Sequence, residues 1–374
     1  MLQSATGTGN VHMTTPQTLP SLRASRRGAI TFLVCTLLGI GLIVHWHTPP
    51  NLWHLLRAAQ WGWFVLAGVL MVLDFLFGAL RMRVLLNGRV LPHVSLWHCL
   101  RATWANLFLS AVTPFQTGGG PAQIWILWRN GVPIAQATMV AMINLLATLT
   151  FFIIAGTVAV LFLPGALFGP GWTLAIRFAF LIAILVTALF IAVLAFPRFG
   201  LWVIHSMTLW WPTRWRALRR LRARVLTLLQ QEIALFQHSV KMVLRHRKTD
   251  MFWVFMTTCA LYLNKYMIGY CIARALHQSV GLGVFLMLQI IQWLVIYFAP
   301  TPGASGMAEV SAVLLMQQVL ARETLVLFAI LWRGFTSVIG AVLGMVVLFQ
   351  DISGWITDWI TQHRRTELQP RSGL

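Results

Sequence analysis

The sequence predicts an all-α integral membrane protein, a polytopic bundle of about six to eight transmembrane helices in which two segments are broken by Pro and Gly. Hydrophobic residues make up 58% of the 374 residues and charged residues only 10%, whereas soluble proteins average about 25% charged residues. The 28 Lys and Arg residues outnumber the 8 Asp and Glu residues. Because these bases flank apolar runs of membrane-spanning length, the excess positive charge indicates a membrane protein and argues against nucleic-acid binding.

Long apolar runs define the transmembrane helices, since crossing about 30 Å of hydrocarbon takes about 20 helical residues. The first run follows a basic, Thr- and Ser-rich tail at residues 1–28, and we interpret it as a retained signal anchor. The transmembrane domain covers residues 29–350, and a second cytoplasmic tail follows at 351–374. In chain order the long runs are Ala29–Val44, Trp61–Leu80, Ile134–Leu163, Leu174–Phe196, Met251–Ile272 and Leu325–Phe349.

Two other apolar runs lead directly into Pro/Gly clusters. Leu96–Val112 precedes the cluster at 114–121, and Val284–Ala299 precedes the cluster at 300–306. A short helical segment and then a long span follow each cluster, so the same order of segments occurs twice. Broken segments at corresponding positions in two halves indicate an internal repeat of the transporter type. The sequence leaves open whether each broken unit is a re-entrant hairpin or a pair of full spans.

Charge positions predict how the two halves, residues 29–163 and 174–349, are oriented. With the N-terminus inside, most of the 28 Lys and Arg residues lie on the cytoplasmic side, as the positive-inside rule requires. The first half then starts inside and the second outside, so the repeat is inverted. We expect both termini on the cytoplasmic side of a plasma membrane of the bacterial inner-membrane type.

A hydrophilic segment at 212–250 separates two of the predicted spans. Its apolar residues recur at helical spacing while arginines crowd its N-terminal half, which favours an amphipathic helix on the cytoplasmic leaflet. A solvated connector that follows the positive-inside rule would have the same composition. Both interpretations remain open.

The first break, PFQTGGGP at 114–121, precedes a short predicted helix. Free backbone N–H groups and the positive end of the helix dipole suit a phosphate, and glycine allows close approach of the backbone. The alternative is that the glycines only let two helices pack tightly. The residues that we expect to bind a lipid headgroup here are Thr117, Gly118, Gly119, Gly120 and Gln123.

The second break, PTPGASG at 300–306, precedes a helix whose first turn contains Glu309. A carboxylate is favoured there by the helix dipole, so Glu309 either caps the helix or contacts a cationic headgroup. Lys265 and Arg333 lie within predicted spans, and we expect both to face the Glu309 region and bind the headgroup with it. Asp74 is interpreted as a structural partner for a neighbouring helix. The breaks themselves depend on Pro114, Pro121, Pro300, Pro302, Gly303 and Gly306.

Catalytic and metal chemistry find little support in the sequence. The four cysteines are isolated within or beside apolar segments, and motifs for zinc, nucleotide or nucleophilic chemistry do not occur. With 8 carboxylates in the chain, acid–base catalysis has few candidates. We expect no enzymatic activity, no cofactor and no metal.

Both breaks and their surroundings resemble the flippase-like transmembrane region of the lysylphosphatidylglycerol synthase family. The stretches that carry the resemblance are PFQTGGGPAQIWILWRNGVP (114–133), PTPGASGMAE (300–309) and LWRGFTSVIGAVLG (331–344). The resemblance implies a helical membrane fold and movement of phospholipids between leaflets. Bifunctional members add a soluble transferase domain, whereas about 25 residues follow Phe349 here, so synthase activity is not expected.

Two functions of different classes follow from these features. The first is translocation of a phospholipid or related lipid, anionic or aminoacylated, between leaflets, with membrane phospholipids as partners. The second is a non-transporting membrane subunit that positions a neighbouring lipid- or sugar-transferring enzyme, for which the basic segment would serve as a docking surface. Only the first class moves lipid without a partner protein.

Overall fold

The computed structural model describes residues 52–89, 91–162 and 248–368, together with seven scattered positions between 181 and 243; side chains are described only as far as Trp355. The described residues are helical and contain no strand, which confirms the all-α prediction. Three of their helices are long and apolar enough to cross a membrane, namely Trp61–Leu85, Ile134–Ala159 and Arg322–Trp355. The predicted tail at 1–28, the spans Ala29–Val44 and Leu174–Phe196 and most of the segment 212–250 lie outside the described residues.

Where the structure describes them, the helices follow the predicted apolar runs in order, with one additional short helix before the second run and the last run divided into two helices. Most boundaries differ by a few residues, as expected where charged side chains extend a membrane helix beyond its apolar stretch. The helices are α1 Leu52–Ala58, α2 Trp61–Leu85, α3 Leu96–Val112, α4 Gly119–Arg129, α5 Ile134–Phe162, α6 Lys248–Ala275, α7 Leu282–Tyr297, α8 Met307–Met316, α9 Arg322–Arg333 and α10 Ile339–Leu368. A π-helical turn, Gly334–Val338, joins α9 to α10.

Helices α2 and α6 occupy corresponding places in the two predicted halves, as the second span of each, and they run antiparallel. The backbone N–H of Gln60, before α2, donates to the carbonyl of Ala275 at the end of α6 at 2.9 Å. Further along α2, the carbonyl of Leu70 accepts from the side chain of Asn264 at 2.8 Å. Corresponding helices of the two halves therefore point in opposite directions, as the inverted repeat requires.

The first broken unit is a helical hairpin, hairpin 1, formed by α3 and α4. The amide of Asn106 in the middle of α3 donates to Gln123 Oε1 in α4 at 3.4 Å, so α4 folds back along α3. With 11 residues, α4 is about 16 Å long, too short to cross about 30 Å of hydrocarbon. Hairpin 1 is therefore re-entrant, which decides between the two alternatives left by the sequence.

The second broken unit, hairpin 2, consists of α7 and α8. Its chain returns to its starting side, because the backbone N–H of Ala321 after α8 donates to Gln278 Oε1 before α7 at 3.0 Å. With 10 residues, α8 is only about 15 Å long. Hairpin 2 is re-entrant as well, and the inversion of the halves brings it in from the side opposite to hairpin 1.

The tips of the hairpins are two short 3-10 turns, Pro114–Gln116 and Pro302–Ala304. After each proline, two residues are left-handed, with φ of 52° and 56° in the first tip and 55° and 57° in the second. Only one of these four residues is a glycine, and each of the others costs about 1–2 kcal/mol in this conformation. The tips touch, since the N–H of Gly303 donates to the carbonyl of Thr113 at 3.4 Å.

Two glycines of α10 bring it close to hairpin 1. A Cβ at Gly344 would overlap the carbonyl of Trp104 in α3, and one at Gly340 would lie 2.8 Å from Leu107 Cδ1. The two helices are antiparallel here, and Arg101 of α3 pairs with Asp351 of α10 at 2.9 Å. Helix α10, from the second half, is therefore packed backbone against backbone on the hairpin of the first half.

Candidate functional site

A cavity of about 700 Å³ lies where the two hairpin tips meet. Both tips contribute to its wall, together with α2, α5, α6, α7 and the junction of α9 with the π-helical turn. Its ionisable Asp, Lys and Arg residues, among the described part of the chain, are Asp74, Arg81, Lys265 and Arg333. Charges enclosed by apolar helices are costly, so this concentration makes the cavity the candidate functional site.

Lys265 and Asp74 form an ion pair between α6 and α2. Lys265 Nζ lies 2.7 Å from Asp74 Oδ2, and each side chain is 7% exposed. The same ammonium lies 5.1 Å from the centre of the Trp293 ring, within range of a cation–π contact. The sequence assigns Asp74 to pairing with a neighbouring helix, and the structure identifies Lys265 as the partner.

Arg81 lies two helical turns after Asp74 on α2 and lines the same cavity. Its guanidinium donates to Thr148 Oγ1 at 3.2 Å and to the carbonyl of Asn144 at 3.1 Å. Arg81 directly follows the predicted run Trp61–Leu80, and the predicted topology therefore places it among the Lys and Arg residues on the cytoplasmic side. Its seven-residue separation from Asp74 was the signal that could have placed it at the site, because residues seven apart share a helix face.

Arg333 holds the second hairpin tip from α9. One of its amino groups donates to the carbonyl of Gly303 in the tip, and the other donates to Ser337 Oγ at 3.1 Å. Its Nε lies 3.1 Å from Glu309 Oε1, close enough for an ion pair although the N–H is not aligned for a hydrogen bond. Arg333 therefore links the tip, the cavity and α8.

Glu309 is 1% exposed, and its carboxylate faces the guanidinium of Arg333. Its Oε2 accepts the backbone N–H of Gly306 at 2.7 Å, so the carboxylate caps α8 by satisfying a donor at the helix start. Glu309 is not among the described residues that line the cavity. Of the two roles left open by the sequence, the geometry favours the cap. Lys265 and Arg333 both reach the cavity, but each has its own carboxylate partner.

The three consecutive glycines of the first break occupy different environments. The N–H of Gly118 donates to Thr113 Oγ1 at 2.8 Å. At Gly119, a Cβ would overlap Ser110 Oγ and lie 3.0 Å from Asn106 Cγ, so this glycine lets α4 pack on α3. Gly120 lines the cavity and would have open space around a Cβ. Thr117 and Gln123 also line the cavity.

The prolines of the breaks mark the tips and the start of α4. Pro114 and Pro302 each begin a 3-10 turn, where a missing N–H and a fixed φ are tolerated. Proline is favoured at the first helical position, which predicts a helix start at Pro121, but α4 begins two residues earlier, at Gly119. The proline still lies in the first turn, where its missing N–H leaves no helical hydrogen bond unmade.

Aromatic side chains form the wall of the cavity opposite hairpin 1. Tyr262, Trp293 and Tyr297 line it. Tyr262 stacks on Phe151 with 5.0 Å between ring centres, and Tyr297 packs on Phe152 at 5.2 Å. The sequence does not single out these rings, because an aromatic residue in an apolar run is equally compatible with a lipid-facing position. Among the described residues, no three His, Cys, Asp or Glu side chains are grouped so as to hold a metal ion.

Comparison with known proteins identifies the family. The model of the family described as the lysylphosphatidylglycerol synthase TM region matches residues 29–344. This range includes both hairpins completely. The chain belongs to this family. One relative is a UPF0104 membrane protein of Archaeoglobus fulgidus. The two chains are 24% identical over 308 residues, which cover 80% of this chain and 90% of the relative. As a member of the family, the protein is a membrane protein, and the resemblance expected from the two breaks is confirmed.

Proposed function

We propose that the protein moves a phospholipid or a related lipid between the two leaflets of the plasma membrane, with both termini in the cytoplasm. The observation that carries this proposal is the cavity between two re-entrant hairpins that enter from opposite sides. A lipid headgroup needs a polar path through hydrocarbon, and irregular backbone within a membrane is tolerated where it lines such a path.

The chemistry of the cavity suits a headgroup with attached acyl chains. Charged and hydroxyl side chains of Arg81, Lys265 and Thr148 lie on its wall together with the rings of Tyr262 and Tyr297. The bases provide donors for a phosphate, and the rings provide apolar surface for the chain region next to it.

The test is reconstitution into liposomes that contain a fluorescent phospholipid, with a membrane-impermeant reductant added outside. A protein that moves lipid exposes the inner-leaflet dye to the reductant, and fluorescence then falls well below the level reached in protein-free liposomes. A non-transporting subunit that positions a lipid- or sugar-transferring enzyme leaves the inner-leaflet dye protected, and this result would refute the proposal.

A blocking variant with a matched control makes the test specific for the cavity. Gly120→Phe places a ring where a Cβ meets open space at the cavity wall, and we expect it to slow lipid movement about tenfold or more. Gly62→Phe makes the same change at an exposed position of α2, also in open space, and should leave the rate unchanged. Equal rates for both variants would place the lipid path elsewhere.

A further inference from the structure

The cavity has more positive than negative groups, and this imbalance bears on which lipid it takes; the inference rests on the function proposed above. Of the described ionisable residues on its wall, Arg81, Lys265 and Arg333 are basic and Asp74 is acidic. Lys265 is neutralised by Asp74 at 2.7 Å, and Arg333 is neutralised by Glu309 at 3.1 Å. Arg81 is the base that remains.

Arg81 is held in place by neutral oxygens. Its two described side-chain partners are the hydroxyl of Thr148 and the backbone carbonyl of Asn144. These bonds orient the guanidinium without cancelling its charge, whereas a carboxylate partner would do both. A guanidinium has five donors in a planar fork that suits phosphate oxygens, so an oriented Arg with uncompensated charge at a cavity is an anion site.

The carboxylates of the site are already engaged. Asp74 Oδ2 is paired with Lys265, and Asp74 Oδ1, which has no hydrogen-bond partner, is enclosed by protein. Glu309 accepts the Gly306 N–H with Oε2 and faces Arg333 Nε with Oε1 at 3.1 Å, and it is not among the described residues that line the cavity. Outside the described residues the sequence offers little more, since 1–51 contain no Asp or Glu and 163–247 contain only Glu232 beside eleven Lys and Arg residues.

We propose that this cavity selects a lipid whose headgroup has a net negative charge, an unmodified phosphodiester such as that of phosphatidylglycerol, and that Arg81 is the residue that determines this selectivity. An aminoacylated lipid places one or two ammonium groups on the same headgroup. Inside the cavity these would meet an excess of positive charge and carboxylates that each already face a base, so the desolvation of the ammonium is not compensated.

The experiment compares fluorescent phosphatidylglycerol with fluorescent lysyl-phosphatidylglycerol in liposomes that contain the full-length protein. We expect the wild-type protein to move phosphatidylglycerol about tenfold faster or more, because the charge-assisted contact to Arg81 is made by one lipid without opposition from a like charge. Arg81→Gln should remove most of this difference by slowing phosphatidylglycerol, and Arg81→Lys should retain part of it.

Arg83→Gln is the matched control. Arg83 lies two residues further along α2, and its guanidinium donates to the carbonyl of Leu86 and bonds His93. It is not among the described cavity residues, so the preference between the two lipids should persist.

The possible outcomes separate the two proposals. If the wild-type protein moves neither lipid, the proposed function fails. If it moves lysyl-phosphatidylglycerol as fast as phosphatidylglycerol or faster, the function stands and the inference is overturned. The inference is also overturned if Arg81→Gln inserts normally and keeps the full preference. Should Arg81→Gln fail to fold, the wild-type ratio alone decides.

Discussion

Lys265 Nζ and Asp74 Oδ2 lie 2.7 Å apart and join α6 of the second half to α2 of the first. The two residues occupy the middle of antiparallel helices, so the pair lies far from both ends of the bundle. Each side chain is almost fully enclosed, and Lys265 also contacts the face of Trp293. The pair thus connects the inverted halves beside the cavity, where either charge alone would be strongly unfavourable.

Breaking this pair on one side is expected to destabilise the protein. Asp74→Asn should lower the free energy of unfolding by about 3–5 kcal/mol, because it leaves the Lys265 ammonium buried without its counter-charge. The measurement is loss of helical circular dichroism during titration with a denaturing detergent.

The double variant Asp74→Leu with Lys265→Met is the control that separates the effect of the two charges from the effect of side-chain shape. Replacing both partners of a buried pair by apolar residues of similar volume is often neutral for stability. We therefore expect it to unfold near the wild-type midpoint. A double variant as unstable as Asp74→Asn would show that packing or hydrogen bonding at these positions matters more than the charges.

The glycines of the first break differ in the space around them, and substitutions can therefore distinguish their roles. Gly119→Ala should destabilise hairpin 1 by about 1–3 kcal/mol, because the added methyl group overlaps Ser110 Oγ and crowds Asn106, and the side chains between the two helices must shift. Gly120→Ala adds the same methyl group in open space and should leave the unfolding midpoint unchanged or slightly raised. Similar losses in both variants would contradict the close packing of α4 on α3.

Glu309 should contribute to stability through the start of α8. Glu309→Gln keeps the shape but removes the charge that faces Arg333, and we expect a loss of about 1–3 kcal/mol. Glu323→Gln is the matched control, since Glu323 also lies in a first helical turn but is exposed. A Glu309 variant as stable as the Glu323 variant, yet unable to move lipid, would favour the headgroup role predicted from the sequence.

The orientation of the two hairpins can be measured by labelling. Arg89 lies in the exposed loop before hairpin 1, and Gln318 lies in the exposed turn after hairpin 2. In a variant without the four native cysteines, we expect a membrane-impermeant maleimide to label Gln318→Cys in intact cells and Arg89→Cys only after the membrane is opened. Labelling of both from the same side would refute the inverted arrangement.

The sequence predicted the helical class, the order of the segments and the two breaks, because membrane spans have a strong apolar signal. It could not predict that both broken units are re-entrant, since an apolar run of 17 residues such as Leu96–Val112 fits either arrangement. That distinction came from the 11-residue length of α4, which folds back along α3 through the contact between Asn106 and Gln123.

Pairings within the site were harder to predict than its members. The sequence placed Lys265, Arg333 and Glu309 in one cluster, whereas Lys265 pairs with Asp74 and only Arg333 pairs with Glu309. Hydropathy identifies which residues lie in a span but not the rotation of each helix about its axis. For the same reason the sequence did not place Arg81 at the site. Arg81 lies near the end of an apolar run and was therefore assigned to the cytoplasmic side of the membrane.

The contact of Gly344 with the Trp104 carbonyl limits how the protein can move. Where side chains separate two helices, changes of rotamer let one helix slide along the other in small steps. At Gly344 the backbones meet directly, so at this point no side chain separates α10 from α3. The contact therefore acts as a pivot. If the cavity opens on one side, we expect hairpin 1 to rotate about this contact. Its tip beside Gly303 would then show the largest displacement.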